Sequence, residues 1–315
     1  MNVLGERTEM DVDTRENGSS EILLTTTRAA DLLEVHESTI KRWCNNEEMV
    51  SKKTRGGHRR ILLEDLLRFA RERSIPLALQ MFEPFESMVW WGIEESRERG
   101  DFELINQLAM KWISGSHPQL LEPLWLYMQQ RAEVPVEDIM DQSVRALMVH
   151  VGDLWESGQI DVGQEHLYTQ LIVDALHSLR KLREPLPQTS DTTARRAVVG
   201  CSEGEQHQIG ALCTRIVLEH LGWRVYYLGA NVPVEAYAKA QKKYDAQMVC
   251  VSFVPPRKRA DALRCVRVLS EFYDPAQPYH LVLGGSALEG AQVDEEAPFE
   301  SLCVFTATKT FREWI

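Results

Sequence analysis

From residue 196 onward, short apolar runs of the kind buried on both faces of a parallel sheet alternate with helical stretches, and that alternation admits few folds. The runs are Ala197 to Gly200, Val225 to Leu228, Met248 to Phe253 and Leu281 to Leu283, with a weaker fifth at Leu302 to Phe305. Helical periodicity fills 209–221, 234–244 and 257–273 between them. This rhythm predicts a doubly wound, flavodoxin-like α/β domain over 196–315, whose ligand would sit at the carboxyl ends of the strands.

Ahead of that domain the pattern changes twice. Residues 184–195 (E-P-L-P-Q-T-S-D-T-T-A-R) read as a linker by composition. From 77 to 183 the periodicity is helical throughout, broken at Gly100, Ser116 to Pro118, Pro135 and Ser157-Gly158. About five helices in an all-α bundle are predicted there. Residues 1–21 are polar and acidic and read as a disordered leader. No apolar run approaches the roughly 20 residues of a membrane helix. Six cysteines without a C-x-x-C pair fit reduced thiols in a cytoplasmic protein and argue against a zinc site built by the chain.

Residues 22–76 hold a third pattern. T-T-T-R-A-A-D-L-L from Thr25 gives a helix cap and an apolar face at Ala29, Leu32 and Leu33. After a break at 34–37, a second helix from Ser38 to Cys44 carries Ile40 and Trp43 on one face. K-T-R-G-G-H-R-R-I from Lys53 to Ile61 is a glycine-turned basic hairpin, and Glu64 to Glu72 is helical again. Between Lys41 and Arg60 seven basic residues stand against two acidic ones, in a chain of net charge −12. Phosphate neutralisation supplies much of the affinity for DNA, so this is one basic docking face on an acidic body. Ser38, Thr39, Lys41 and Arg42 would face the major groove from the second helix, and Arg55, His58, Arg59 and Arg60 would reach the backbone from the hairpin turned by Gly56 and Gly57. The stretch 25–69 resembles the MerR family, in which T-R-G-G-H-R-R-I is among the most specific strings. The resemblance implies a winged helix-turn-helix that binds a double-stranded operator.

A second motif, E-Q-H-Q-I-G from Glu205 to Gly210, follows the first strand of the α/β region. A histidine in that loop sits where a ligand binds, and Gly210 would let a bulky group approach the backbone. L-G-W-R-V from Leu221, L-G-A-N-V-P from Leu228, V-S-F-V from Val251 and L-G-G from Leu283 come after it in order. Together they resemble the cobalamin-binding domain of methionine synthase and the corrinoid mutases over nearly all of 196–305. The resemblance implies that His207, the histidine of D-x-H-x-x-G, displaces the dimethylbenzimidazole and becomes the lower cobalt ligand. Glu205 stands where the family has aspartate and would bond the other ring nitrogen. Ser252, Gly284 and Gly285 would line the slot for the nucleotide tail, with Val254 also touching the corrinoid.

In the bundle, Asp161 and Gln164 form a capping-box pattern that starts a helix just before Glu165 and His166, while Trp155 ends the preceding one. W-x9-E-H resembles the cobalamin-binding bundle of the CarH, CarA and LitR group of MerR-type regulators, and the domain order matches that group over 25–305. The resemblance implies that Trp155 caps the adenosyl group of adenosylcobalamin, methylcobalamin being the other candidate, and that Glu165 and His166 contact it. It implies a repressor without enzymatic activity, tetrameric on DNA with cobalamin and dispersed by light. Light-sensing members place a histidine directly after the tryptophan; here that residue is Glu156. The alternative function is a corrinoid methyl carrier serving a methyltransferase, in which a DNA-binding head has no use.

Overall fold

The computed structural model describes residues 22–182, 194–291, 293 and 297–315. The leader at 1–21 and most of the linker at 184–195 lie outside the described residues. The chain divides into two compact units, one reaching Glu95 and one from Ser96 to Ile315.

In the first unit α1 (Thr26–Leu32) and α2 (Glu37–Asn45) pack around Ala29, Ala30, Leu32 and Ile40, all buried. The Thr25 hydroxyl accepts from Arg28 N at 3.2 Å and so caps α1. α2 begins one residue earlier than its periodicity indicates, because the His36 imidazole caps it by accepting from Ser38 N at 3.2 Å. β2 (Lys52–Lys53) and β3 (Arg59–Leu62) form the antiparallel hairpin, with Lys52 opposite Arg60 and Lys53 opposite Arg59. A strand not evident in the sequence, β1 (Leu23–Leu24), pairs with the other edge of β3 and leads into α1. α3 (Leu63–Glu72) then lays Leu63, Leu66, Leu67 and Phe69 into the core. The first turns of α4 (Glu86–Arg99) are tied to these helices: Arg71 donates to Glu86 at 3.2 Å, and Arg28 pairs with Glu94.

The second unit opens with helices. They are α5 (Glu103–Ile113), α6 (Leu121–Gln130), a continuous run of α7 (Val136–Asp138), a π turn (Ile139–Val144) and α8 (Arg145–Glu156), and α9 (Val162–Lys181). Trp112 and Trp125 are fully buried among them, and the Trp125 indole donates to Ser143 Oγ at 3.1 Å, so its one polar atom is satisfied.

The sheet follows: β4 (Arg196–Cys201), β5 (Arg224–Gly229), β6 (Met248–Ser252), β7 (His280–Gly284) and β8 (Ser301–Phe305). All pairings are parallel, in the order β5-β4-β6-β7-β8, the doubly wound order whose switch point lies beside the first strand. α10 (Ile209–His220), α11 (Val234–Tyr244), α12 (Arg259–Glu271) and α13 (Thr308–Trp314) complete the domain. The five apolar runs are the five strands; β4, β6 and β7 are largely buried, with no polar position to interrupt them, while the edge strands β5 and β8 are half-buried.

Two of the contacts that fasten bundle and sheet domain to each other use buried or capping carboxylates. Asp141, on the π turn, accepts from Thr308 N at 2.8 Å, Thr308 Oγ1 at 2.9 Å and Lys309 N at 2.9 Å, and so caps α13 from outside the helix. On α10 the buried Glu219 carboxylate accepts from Arg180 of α9 at 2.6 and 3.2 Å and from Arg215 at 3.0 Å.

Four of the cysteines are buried: Cys201, Cys213, Cys250 and Cys265. Burial is the main reason their thiols are pushed up, to about 12 for Cys201, Cys213 and Cys265 and higher still for Cys250. Thiolate, the reactive form, is therefore scarce at neutral pH. A thiol-specific reagent at pH 7 is expected to label Cys44 and Cys303 promptly and the other four only after denaturation, as peptide mapping would reveal. Prompt labelling of Cys250 in the folded protein would contradict this burial.

Candidate functional site

The basic face of the first unit is built on α2 and the hairpin. Ser38, Lys41 and Arg42 are exposed on α2, and Thr39 is half-buried. Lys41 pairs with Glu37 one turn earlier at 3.0 Å. The hydrogen bond from Thr26, then that from Lys41, holds the Glu37 carboxyl below the usual carboxylate range. The hairpin turn is closed by Thr54 N to His58 O at 2.9 Å and Gly57 N to Thr54 O at 2.9 Å. Gly57 has φ +80° and needs glycine there; Gly56 has no such requirement. The turn leaves Arg55 and His58 exposed at the tip. Arg59 and Arg60 are half-buried: Arg59 donates to Asn45 at the end of α2, and Arg60 donates to Arg59 O at 3.2 Å. Sequence reasoning missed Asn45, which joins hairpin to helix. Of the two acids in this stretch, Glu48 turns to Arg73 at 2.6 Å.

In the second unit the strand ends form a row. Cys201 lies beside Ser252, Ser252 beside Gly284, and Gly284 beside Phe305. The loop after Cys201 is pinned over this row. Glu205 N donates to Ser202 O at 3.0 Å, Asn231 N donates to Glu205 O at 2.7 Å, and Gly204 N donates to Asn231 Oδ1 at 2.6 Å. Asn231 has φ 51°, a left-handed conformation that asparagine tolerates better than most residues. It is the part of L-G-A-N-V-P that clasps the histidine loop, a role its spacing does not reveal.

Glu205 is buried, at 2% exposure. Its Oε1 accepts from His207 N at 2.8 Å and lies 2.6 Å from His207 Nδ1. A carboxylate acceptor places the proton on Nδ1 and leaves the Nε2 lone pair for another partner. The His207 side chain is 63% exposed, and Nε2 has no protein partner among the described residues. A neutral imidazole backed by a buried carboxylate is a transition-metal donor. Among the described residues no group of three or more His, Cys, Asp or Glu could hold a metal ion.

The surroundings fit a large polar ligand. Ten buried side-chain polar atoms among the described residues have no hydrogen-bond partner, and four of them stand here: Ser202 Oγ, Glu205 Oε2, Ser252 Oγ and Arg257 Nε. Such groups are costly unless something satisfies them. Gly210 lies against Ser252, whose Oγ would be 3.1 Å from an added Cβ. Val254, two residues past β6, is half-buried. Gly284 and Gly285 answer to the protein's own packing. A Cβ on Gly284 would meet Phe305 O at 2.9 Å, and on Gly285, at φ +105°, it would meet Phe253 O at 2.2 Å.

On the bundle, the capping box at the start of α9 has both bonds: Gln164 N to Asp161 Oδ1 at 2.8 Å and Asp161 N to Gln164 Oε1 at 3.0 Å. It sets Glu165 and His166 in the first turn, hydrogen-bonded to each other, with Thr169 donating to Glu165 at 2.9 Å. Trp155, in the last turn of α8, is 48% exposed, and its indole makes no hydrogen bond or ring contact among the described residues. Glu156, His150 and His177 are exposed.

Three family models match the chain: a helix-turn-helix domain over residues 23–74 and two B12 binding domains, over 103–180 and 195–314. Among curated proteins the chain is similar to the HTH-type transcriptional repressors CarH and CarA of Myxococcus xanthus. It is 35% identical to CarH over 41% of this chain and 42% of CarH, and 32% identical to CarA over 40% of this chain and 41% of CarA. The chain thus spans about two fifths of the length of these two repressors. It is also similar to dimethylamine corrinoid protein 3 of Methanosarcina acetivorans, 30% identical over 47% of this chain and 67% of that protein.

Proposed function

The chain belongs to the B12-binding proteins and carries a helix-turn-helix domain, and we propose that it is a cobalamin-dependent transcriptional regulator of the MerR type, a repressor by analogy with CarH and CarA. Its first unit would bind a double-stranded operator through a winged helix-turn-helix, and its second would hold the corrinoid. The observation that carries the reading is His207, a loop histidine at the carboxyl edge of a parallel sheet with Nδ1 bound to a buried carboxylate and Nε2 open.

Cobalamin would supply a cobalt centre with a light-labile cobalt–carbon bond; the protein would supply its binding, orientation and surroundings. His207 would hold the cobalt from below, and Glu205 would fix the tautomer and orientation of that ring. Trp155 would lie flat over the upper group, with Glu165 and His166 as polar contacts. A corrinoid enclosed between bundle and sheet would favour one shape of the second unit. That shape would promote a tetramer, in which linked basic faces gain affinity through effective concentration.

Glu156 sets the response to light. Illumination of bound adenosylcobalamin is expected to break the cobalt–carbon bond without giving a species with histidine on both cobalt faces, since a carboxylate is a harder, weaker partner than imidazole. The test is an ultraviolet-visible spectrum of protein reconstituted with adenosylcobalamin in darkness, before and after illumination, alongside Glu156→His, in which the two-nitrogen species should appear. Two nitrogen ligands in the illuminated parent would sink this light reading. Failure to retain any corrinoid would sink the regulator reading itself. The alternative, a corrinoid methyl carrier serving a methyltransferase, would retain corrinoid but bind no duplex even at low salt.

A further inference from the structure

We infer that Arg257 recognises the phosphodiester of the corrinoid's nucleotide loop, an assignment that rests on the corrinoid-binding reading above. Arg257 follows β6 in the string V-P-P-R-K-R, in a turn closed by its own N–H donating to Val254 O at 3.0 Å. Its side chain crosses to the loop that carries His207. A Cβ on Gly204 would fall 2.2 Å from Arg257 Nη2 and 3.1 Å from Cζ, so the guanidinium occupies the place a side chain there would take. Arg257 is half-buried, its Nε is fully buried, and that atom has no acceptor.

Elsewhere in this unit arginines at such positions are matched: Arg180 and Arg215 by Glu219, Arg196 by Asp245, and Arg312 by Glu137. Arg257 has no carboxylate partner among the described residues. Removing a cation from water without pairing it is costly, and a planar fork of free N–H donors matches a phosphate. Ser202 Oγ, just past β4, and Ser252 Oγ, at the end of β6, are also without partners, and Ser202 N donates to Ser252 O at 3.0 Å, so both hydroxyls stand at the same strand ends and would be donors to the same ligand.

The ligand's chemistry narrows the choice of anion. The corrin ring carries neutral amide side chains, and the phosphodiester of the nucleotide loop is the one anionic group of cobalamin. With His207 holding cobalt, the nucleotide loop would be free to reach the protein. Arg257 spans from the loop after β6 to Gly204 in the loop after β4, three residues before the histidine that would take the lower cobalt position.

The test compares two corrinoids that share the ring and differ in the loop: aquacobalamin, which has the phosphodiester, and cobinamide, which lacks it. Parent, Arg257→Ala and Arg257→Lys are each titrated and followed by visible absorption, with the melting temperature of each ligand-free protein as a control for folding. Arg257→Ala is expected to weaken aquacobalamin binding by about tenfold to a hundredfold, the range of a charge-assisted hydrogen bond, and cobinamide by no more than about twofold. Arg257→Lys should recover part of the loss, because it keeps the charge without the fork. Equal weakening of both corrinoids would overturn the assignment and give Arg257 to the ring amides or to loop structure. No change with either would overturn it as well. A parent that binds neither corrinoid would remove the reading on which it rests.

Discussion

Replacing His207 with alanine is expected to leave the corrinoid without a protein nitrogen beneath cobalt, so that bound adenosylcobalamin shows the spectrum of the base-off cofactor. The argument begins at Glu205. Its buried Oε1 bonds both the backbone N–H and Nδ1 of His207, which removes the freedom of the ring and its choice of tautomer. Changing such a supporting partner lowers metal affinity by roughly tenfold to a hundredfold, and Glu205→Gln is expected to fall in that range. Loss of the ligand itself should cost at least as much. Added imidazole should restore the nitrogen-bound spectrum to His207→Ala but leave Glu205→Gln largely unchanged, since that variant still has its ring. An unaltered spectrum and affinity in His207→Ala would give the lower position to another residue.

The parts of the protein that the sequence discloses are those whose signal is local. Each buried parallel strand is a continuous apolar run, and the capping box at Asp161 and Gln164 needs only four residues. What it conceals depends on contacts far along the chain. β1 is two residues long and exists because Leu23 and Leu24 meet Leu62 and Ile61. Asn231 reaches back 27 residues to Gly204, and Arg257 reaches back farther to the same loop. In each case the side chain is polar and lies in a loop, where composition alone suggests only a turn. Gly284 and Gly285 show the opposite difficulty. L-G-G is conspicuous in sequence, yet the carbonyls of Phe305 and Phe253 already account for both glycines, so they carry less weight for a ligand slot than Ser252. The π turn at 139–144 is likewise hidden, although it presents the Asp141 carboxylate that caps α13.

The second large effect concerns DNA. Arg59 and Arg60 are the strand residues of the basic hairpin, opposite Lys53 and Lys52. Changing both arginines to alanine is expected to weaken binding to every duplex sequence by about tenfold or more, and to lower the slope of log affinity against log salt by about two, one counterion contact for each cation. Loss of affinity alone would be ambiguous, because Arg59 also donates to Asn45 and so holds the hairpin to the end of α2. Asn45→Ala separates the two roles: it breaks the tie and keeps the charge, so affinity can fall while the salt slope stays that of the parent. Arg55→Ala provides the converse, since Arg55 is exposed at the hairpin tip and has no partner among the described residues; a phosphate contact there lowers the slope by about one without disturbing the fold. The decisive measurement is the salt dependence of binding to one fixed duplex and to a scrambled duplex. A double variant that binds both as tightly as the parent, with the same slope, would remove the hairpin from the DNA interface and leave only α2 to make it.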